Sequence, residues 1–174
     1  MINKLTLEIP NESHKAEYER VMDKWEQLEE NIQPELMRRY SEKRNGNIPY
    51  DIWLSYCEDD RTTGSMLSTH TPCTLFFCVE DSGEIVGAVV MNHADTKRGH
   101  LHAGIVPWRR GKGYGTEMLR LALRECKMRG IKKVHIAPYK DNAAAVRTII
   151  NNGGYLTEEF TENGRRVLKF EISL

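Results

Sequence analysis

The residues best suited to chemistry lie between Pro107 and Leu119. They read Pro107-Trp108-Arg109-Arg110-Gly111-Lys112-Gly113-Tyr114-Gly115-Thr116-Glu117-Met118-Leu119. Three glycines at alternate positions separate an apolar strand pattern from a helical one. Glycine admits positive φ and close backbone approach. Successive N–H groups can then converge in one concavity, to which the following helix adds positive potential. Such a concavity suits a phosphate, and Arg109, Arg110 and Lys112 place full charges around it. The spacing is neither GxxxxGKS/T nor GxGxxG, which argues against a Walker loop and a dinucleotide fingerprint. On these residues alone, a purely structural glycine turn stays open.

A second group precedes the turn. His100 and His102 fall on one face of a strand read over 100–106, with Leu101, Ala103 and Ile105 on the other. An imidazole titrates near neutral pH and suits a proton acceptor. The i, i+2 spacing could also hold a metal, but no third ligand is evident, and none is expected. A polar strand face meeting solvent is the plainer reading of the pair. His93 is a third, weaker proton acceptor.

The elements that must position these groups follow from periodicity. Leu5, Leu7 and Ile9 alternate with polar residues as in a strand with one buried face. Tyr18, Val21, Met22, Trp25 and Leu28 form the apolar stripe of a helix within 12–31. Pro34 opens a short helix to Tyr40, Asn45-Gly46 signals a turn, Tyr50–Cys57 reads as a further short helix, and 59–72 as a loop. Strands over 73–80 and 84–91 flank the turn Asp81-Ser82-Gly83, where Glu80 and Glu84 are expected to be solvated. After the glycine motif come a helix to Arg129, a strand over 133–137, and a helix capped by Asp141 or Asn142 that ends at Gly153-Gly154. Two last strands, 155–161 and 166–172, enclose the hairpin signal Asn163-Gly164. The expectation is one α+β domain over 1–174 with a mixed sheet.

Composition bounds the rest. The chain has 174 residues with 25 basic and 25 acidic side chains. Residues 11–60 hold 13 acids and 7 bases, whereas 97–150 hold 13 bases and 3 acids. One side of the molecule should therefore favour anions and another tolerate cations. The zero net charge and the lack of a recognised nucleic-acid motif argue against a nucleic-acid partner. No apolar run approaches the ~20 residues of a membrane span, and no signal peptide is read at the N-terminus. Cys57, Cys73, Cys78 and Cys126 form no CxxC pair and read as free thiols of a cytoplasmic protein.

Arg110-x-x-Gly113-x-Gly115 resembles the R/Q-x-x-G-x-G/A signature of the GNAT N-acetyltransferases. Val106-Pro107 before it, Thr116–Leu119 after it, and Asp141-Asn142 followed by Ala145 and Gly153 fit the same pattern. The element order agrees as well, so the resemblance spans nearly the whole chain. It implies a GNAT-like fold, with a mostly antiparallel sheet of six to seven strands flanked by about four helices. It also implies acetyl-CoA as co-substrate and transfer of its acetyl group to a primary amine. By the resemblance, Ile105 and Val106 border the gap that takes the pantetheine arm. Arg110, Gly111, Lys112, Gly113, Tyr114, Gly115 and Thr116 would hold the pyrophosphate. Asn142 would contact the arm or the pyrophosphate, besides capping its helix.

The chemistry requires a neutral amine, a base or water chain to take its proton, and donors for the carbonyl oxygen. His100 and His102 are the candidate bases. Many relatives carry an acidic tyrosine seven residues after the helix-start asparagine, but that position is Ile149 here. Tyr139 is the candidate substitute, with Tyr155 next; core or rim packing is the plainer role for both. The missing tyrosine keeps open a non-catalytic acetyl-CoA-binding or regulatory module. The acidic N-terminal helices and Glu58-Asp59-Asp60 point to a small cationic amine as acceptor. Trp25, Tyr40, Trp53 and Tyr56 could line its pocket, although core packing is the plainer reading for aromatics at helical spacing. The final hairpin offers an edge for homodimer formation.

Overall fold

The computed structural model describes residues 2–29, 31–40, 48–62 and 71–174, with the side chains of 39 and 40 excepted. The proposed Asn45-Gly46 turn, the loop over 63–70 and the side chain of Tyr40 lie outside the described residues. Strands β1 (Leu5–Glu8), β2 (Cys73–Glu80), β3 (Ile85–Asn92) and β4 (Leu101–Ile105) form an antiparallel sheet in that order. Strands β5 (Lys133–Ile136), β6 (Tyr155–Glu162) and β7 (Arg165–Ser173) form a second antiparallel sheet in the order β5-β7-β6. Helices α1 (Lys15–Leu28), α2 (Tyr50–Thr62), α3 (Tyr114–Met128) and α4 (Ala143–Asn151) complete the fold, with 3-10 turns at 12–14, 35–40 and 107–109. None of the described helices is long and apolar enough to cross a membrane.

The first sheet has a core on each face. Tyr18, Val21, Met22 and Trp25 of α1 and Trp53 of α2 cover the face bearing Leu75, Phe77, Val79, Ala88 and Val90. Tyr18 stacks at 4.8 Å on Trp53 and at 5.8 Å on Phe77. The opposite face bears Phe76, Cys78, Val86, Val89 and Met91 and packs on α3 and on Leu168, Phe170 and Ile172 of β7. The pleat sends neighbours to opposite faces, so continuous runs of apolar residues in β2 and β3 mark strands buried on both sides. A bulge near Gly87 shifts the β2–β3 register, from Cys78 opposite Gly87 to Val79 opposite Ile85. Asn163 and Gly164 both take positive φ, 50° and 74°, as the Asn-Gly hairpin requires.

Two expectations need correction. Leu28 is 57% exposed, because α1 ends there and the chain leaves in extended conformation at Glu29. Helix α2 runs to Thr62, past Cys57, with Arg61 paired to Glu58 and Asp60 buried. Trp25 and Trp53 are buried core residues, in line with their plainer reading.

Candidate active site

The two sheets touch at one seam. Gly99 bridges Ile136, and the His100 amide donates to the His135 carbonyl. Beyond the seam, among the described residues, β4 pairs only with β3. The Val106 amide donates to the Val86 carbonyl, and the Asn92 amide to the His100 carbonyl. In that register His102 and Gly104 turn their peptide groups toward Val90 and Ala88. Leu101, Ala103 and Ile105 therefore turn theirs away from β3, toward a side where no strand of the described residues pairs with them. This exposed edge leads directly into the glycine turn.

The turn is built by local rules. Pro107 starts a 3-10 turn, and Gly111 and Gly113 take φ of 70° and 91°. Gly113 occupies the N-cap of α3, and no side chain caps that helix. The first-turn amides of Tyr114, Gly115 and Thr116 thus lack intrahelical acceptors. A Cβ on Gly111 would meet nothing within 4 Å, and one on Gly113 only Ile2 at 4.0 Å. The concavity is open and its donors are ready for an anion. Gly115 lies between Ile105 and Thr148, and the Asn152 side chain donates to the Thr116 and Thr148 carbonyls at 3.2 and 3.0 Å, tying α4 to α3.

The cations around the turn are largely spoken for. Arg109 pairs with Glu84 and, at 3.4 Å, with Glu80. Glu80 also accepts from the Tyr114 hydroxyl, and Glu84 accepts from the Trp108 indole at 2.9 Å. Glu80 is 3% exposed, which corrects the expectation of two solvated carboxylates at the β2–β3 turn. The Tyr114 hydrogen bond, with Arg109 nearby, holds the Glu80 carboxyl below its ordinary range despite burial. At Glu84 burial pulls upward, but Arg109 and Trp108 outweigh it and the net direction is down. Arg110 forks onto Glu29 at 2.9 and 2.6 Å and donates its Nε to the Ile105 carbonyl at 2.8 Å. Lys112 makes one long contact, 3.4 Å, to the Trp108 carbonyl. A cavity of about 420 Å³ beside the turn is lined by Ile2, Asn3, Arg109, Lys112 and Tyr114.

The histidines part company. His100 is buried at the seam, where its Nδ1 accepts the His135 amide at 3.0 Å and its ring stacks on His135 at 5.8 Å. Asp95 approaches both rings, at 3.8 Å from His100 and 3.0 Å from His135. This triad has metal-ligating side chains, but it includes only His100 of the strand pair; its other two members, Asp95 and His135, come from outside the strand, and His102 takes no part. Lys169 lies 3.3 Å from the same Asp95, and Glu171 takes the other His135 nitrogen at 3.1 Å, so protein partners already engage Asp95 and the His135 Nε2, while the buried His135 Nδ1 makes no hydrogen bond among the described residues. His93 contacts Thr74 at 2.8 Å, beside Arg129 at the far end of α3, away from the glycine turn.

His102 has no hydrogen-bond partner among the described residues. Burial, reinforced by Arg98, holds its imidazole below the ordinary value and thus neutral at pH 7. Its strand face also bears Gly104, where a Cβ would strike the Gln33 carbonyl, so the segment after α1 lies over it. Arg98 also covers the Tyr139 ring at 4.4 Å, and Arg165 covers it at 3.7 Å. His102 and Tyr139 thus share one neighbour, which sequence spacing could not show. The Asn142 side chain accepts from the Ala145 amide at 3.1 Å, which makes it a helix cap. Ile149 is buried in the core under Gly154, so this helix position presents no proton donor. Tyr155 is half-exposed and donates to Glu171.

The model of the acetyltransferase (GNAT) family matches residues 25–149, and the chain belongs to that family. It is an acetyltransferase of a family that uses acetyl-CoA as co-substrate. Among solved structures it resembles spermidine N-acetyltransferase from Vibrio cholerae in complex with CoA and spermine, with TM-score 0.64, 15% identity, and coverage of 97% of this chain and 95% of that one. It also resembles yncA from Salmonella typhimurium with acetyl-CoA, with TM-score 0.62, 15% identity, and coverage of 98% and 94%. At such identities the likeness establishes the fold. A search of curated protein sequences gives no match.

Proposed function

We propose that this chain transfers the acetyl group of acetyl-CoA to a primary amine of a small, cationic molecule. The observation that carries the reading is the continuity of the unpaired β4 edge with an uncapped, glycine-built helix N-terminus. The edge offers backbone groups to an amide-bearing chain, and the turn offers amides to a diphosphate. Ile105 and Val106 border the first, and residues Arg110 to Thr116 form the second, with Lys112 as the adjacent full charge. The Asn142 side-chain oxygen serves its own helix, which leaves its amide nitrogen for the arm.

Bound there, acetyl-CoA supplies the thioester carbonyl that the amine attacks in a ternary complex. His102 is the proton acceptor: it is neutral at pH 7 and lies on the face covered by the segment after α1. As the C–N bond forms and the C–S bond breaks, His102 takes the amine proton and the departing thiolate takes another. Tyr139 or water provides the latter. His100 holds the seam of the two sheets rather than the reacting atoms. Holding both reactants in line is itself a large part of the rate enhancement. The acid excess of 11–60, which contains the helices over the His102 face, favours a cationic acceptor.

The test is calorimetric titration with acetyl-CoA, followed by thiol release across polyamines, amino acids, aminoglycosides and lysine peptides. Binding with release dependent on one cationic amine class is expected. Binding without amine-dependent release would favour a regulatory module, a reading motivated by the buried Ile149. No binding by folded protein would overturn the proposal.

A further inference from the structure

Arg110 and Glu29 are 81 positions apart, yet they make the most complete ion pair beside the glycine turn. Glu29 caps the C-terminal end of α1, and its Oε1 also accepts from the buried Trp25 indole at 2.6 Å. Its carboxylate therefore takes three hydrogen bonds: two parallel ones from the Arg110 fork and one from Trp25. A planar guanidinium held at both terminal nitrogens has its Nε–H fixed in direction as well. That Nε–H donates to the Ile105 carbonyl at 2.8 Å. Ile105 is the last residue of β4, and its peptide groups face the unpaired edge.

We infer that Glu29 is a positioning residue for acetyl-CoA: it aims Arg110 so that the arginine Nε pins the Ile105 carbonyl and fixes the end of the β4 edge. The inference rests on the acetyl-CoA reading above and deepens it. Through its fork and its Nε the Arg110 side chain then acts on the protein itself. The same contact ties the end of α1 to the cofactor turn, so the segment after α1, which lies over Gly104, is held from the same point.

Glu29→Gln keeps an acceptor at Oε1 for Trp25 but opposes an amide NH₂ to one arm of the Arg110 fork. Arg110→Lys keeps the charge and loses the fork. Each variant is expected to weaken acetyl-CoA binding about tenfold, the loss of one charge-assisted hydrogen bond. The KM for acetyl-CoA should rise more than the KM for the amine. The double exchange Glu29→Arg with Arg110→Glu restores an ion pair but leaves no donor for the Ile105 carbonyl, so it should not recover affinity. Recovery by the exchange, or wild-type affinity in both single variants, overturns the inference. If Glu29→Gln fails to fold, Arg110→Lys and the exchange decide alone. Wild-type protein that does not bind acetyl-CoA would instead overturn the function proposed above, which keeps the two failures apart.

Discussion

Replacing Gly113 by aspartate and by asparagine separates charge from shape at the anion turn. Gly113 sits at φ 91° and ψ −7°, in the left-handed region. A side chain there costs about 1–2 kcal/mol, and Asn and Asp tolerate the region better than other residues. Space is available, since the only neighbour of a Cβ is Ile2 at 4.0 Å. Both variants should therefore fold, with Tm lower by about 2–4 °C per kcal/mol for a chain of this size. They differ by one negative charge. At about 5 Å from a phosphate, that charge costs about 0.8 kcal/mol in a water-like dielectric and about 3 kcal/mol at an effective dielectric near 20. Acetyl-CoA should then bind the aspartate variant about 4- to 160-fold more weakly than the asparagine variant. Raising the salt to 1 M shortens the screening length to about 3 Å and should narrow the gap. Calorimetry at low and high salt reads both effects. Equal affinity of the two variants at low salt would show that the pyrophosphate does not lie at this turn.

Two further outcomes follow from buried groups. His102→Gln should lower kcat/KM by about 10²- to 10⁴-fold, the usual worth of a positioned base. Because burial and Arg98 depress the His102 pKa, its active neutral form is lost only as pH falls below the ordinary value of 6.5, so the acid limb should lie there and vanish in the variant; an unchanged limb refutes the assignment. Glu80→Gln should destabilise the fold by about 1–3 kcal/mol by unbalancing its bonds to Tyr114 and Arg109. The folded Glu80 pKa is depressed from 4.5, so its contribution is present above that value and lost as pH falls; thermal melts should show the two proteins converging in acid, and a constant gap refutes the account.

What the sequence revealed was local. The glycine turn was legible because positive φ selects its residue type within a few positions, and Asn163-Gly164 was legible for the same reason. The β2–β3 hairpin was legible from two apolar, β-forming runs flanking Asp81-Ser82-Gly83. Long-range partners were hidden. Glu80 borders a turn, where solvation is the natural expectation, but Tyr114 and Arg109 arrive from the far side of the glycine motif and enclose it. His100 and His102 share a strand face, so alternation could not separate them. They differ because the chain at Gly99 and His100 bends onto β5, while His102 lies beyond the seam. Helix α2 runs past its expected end to Thr62, where Arg61 pairs with Glu58 one turn back, although the segment from Asp59 reads as a loop from its Thr, Ser and Gly content.

Charge counting around residues 109–112 suggests a phosphate site built from three cations, yet two of them belong to the scaffold. Arg109 fastens the start of α3 to the β2–β3 turn through Glu80 and Glu84. Arg110 fastens the end of β4 to the end of α1 through Glu29. These clamps stand just before Gly111, in a stretch whose glycines each lose more conformational freedom on folding than another residue would, at about 0.5–1 kcal/mol. An anion site made of backbone amides works only if those amides stay aimed. The arginines therefore act by holding the entry to a glycine-built turn, and on the proposed function Lys112 is the cation left to meet the ligand. This division also reconciles a neutral protein with the proposed anion site. The carboxylates that cancel the arginine charges are the groups that give the turn its shape.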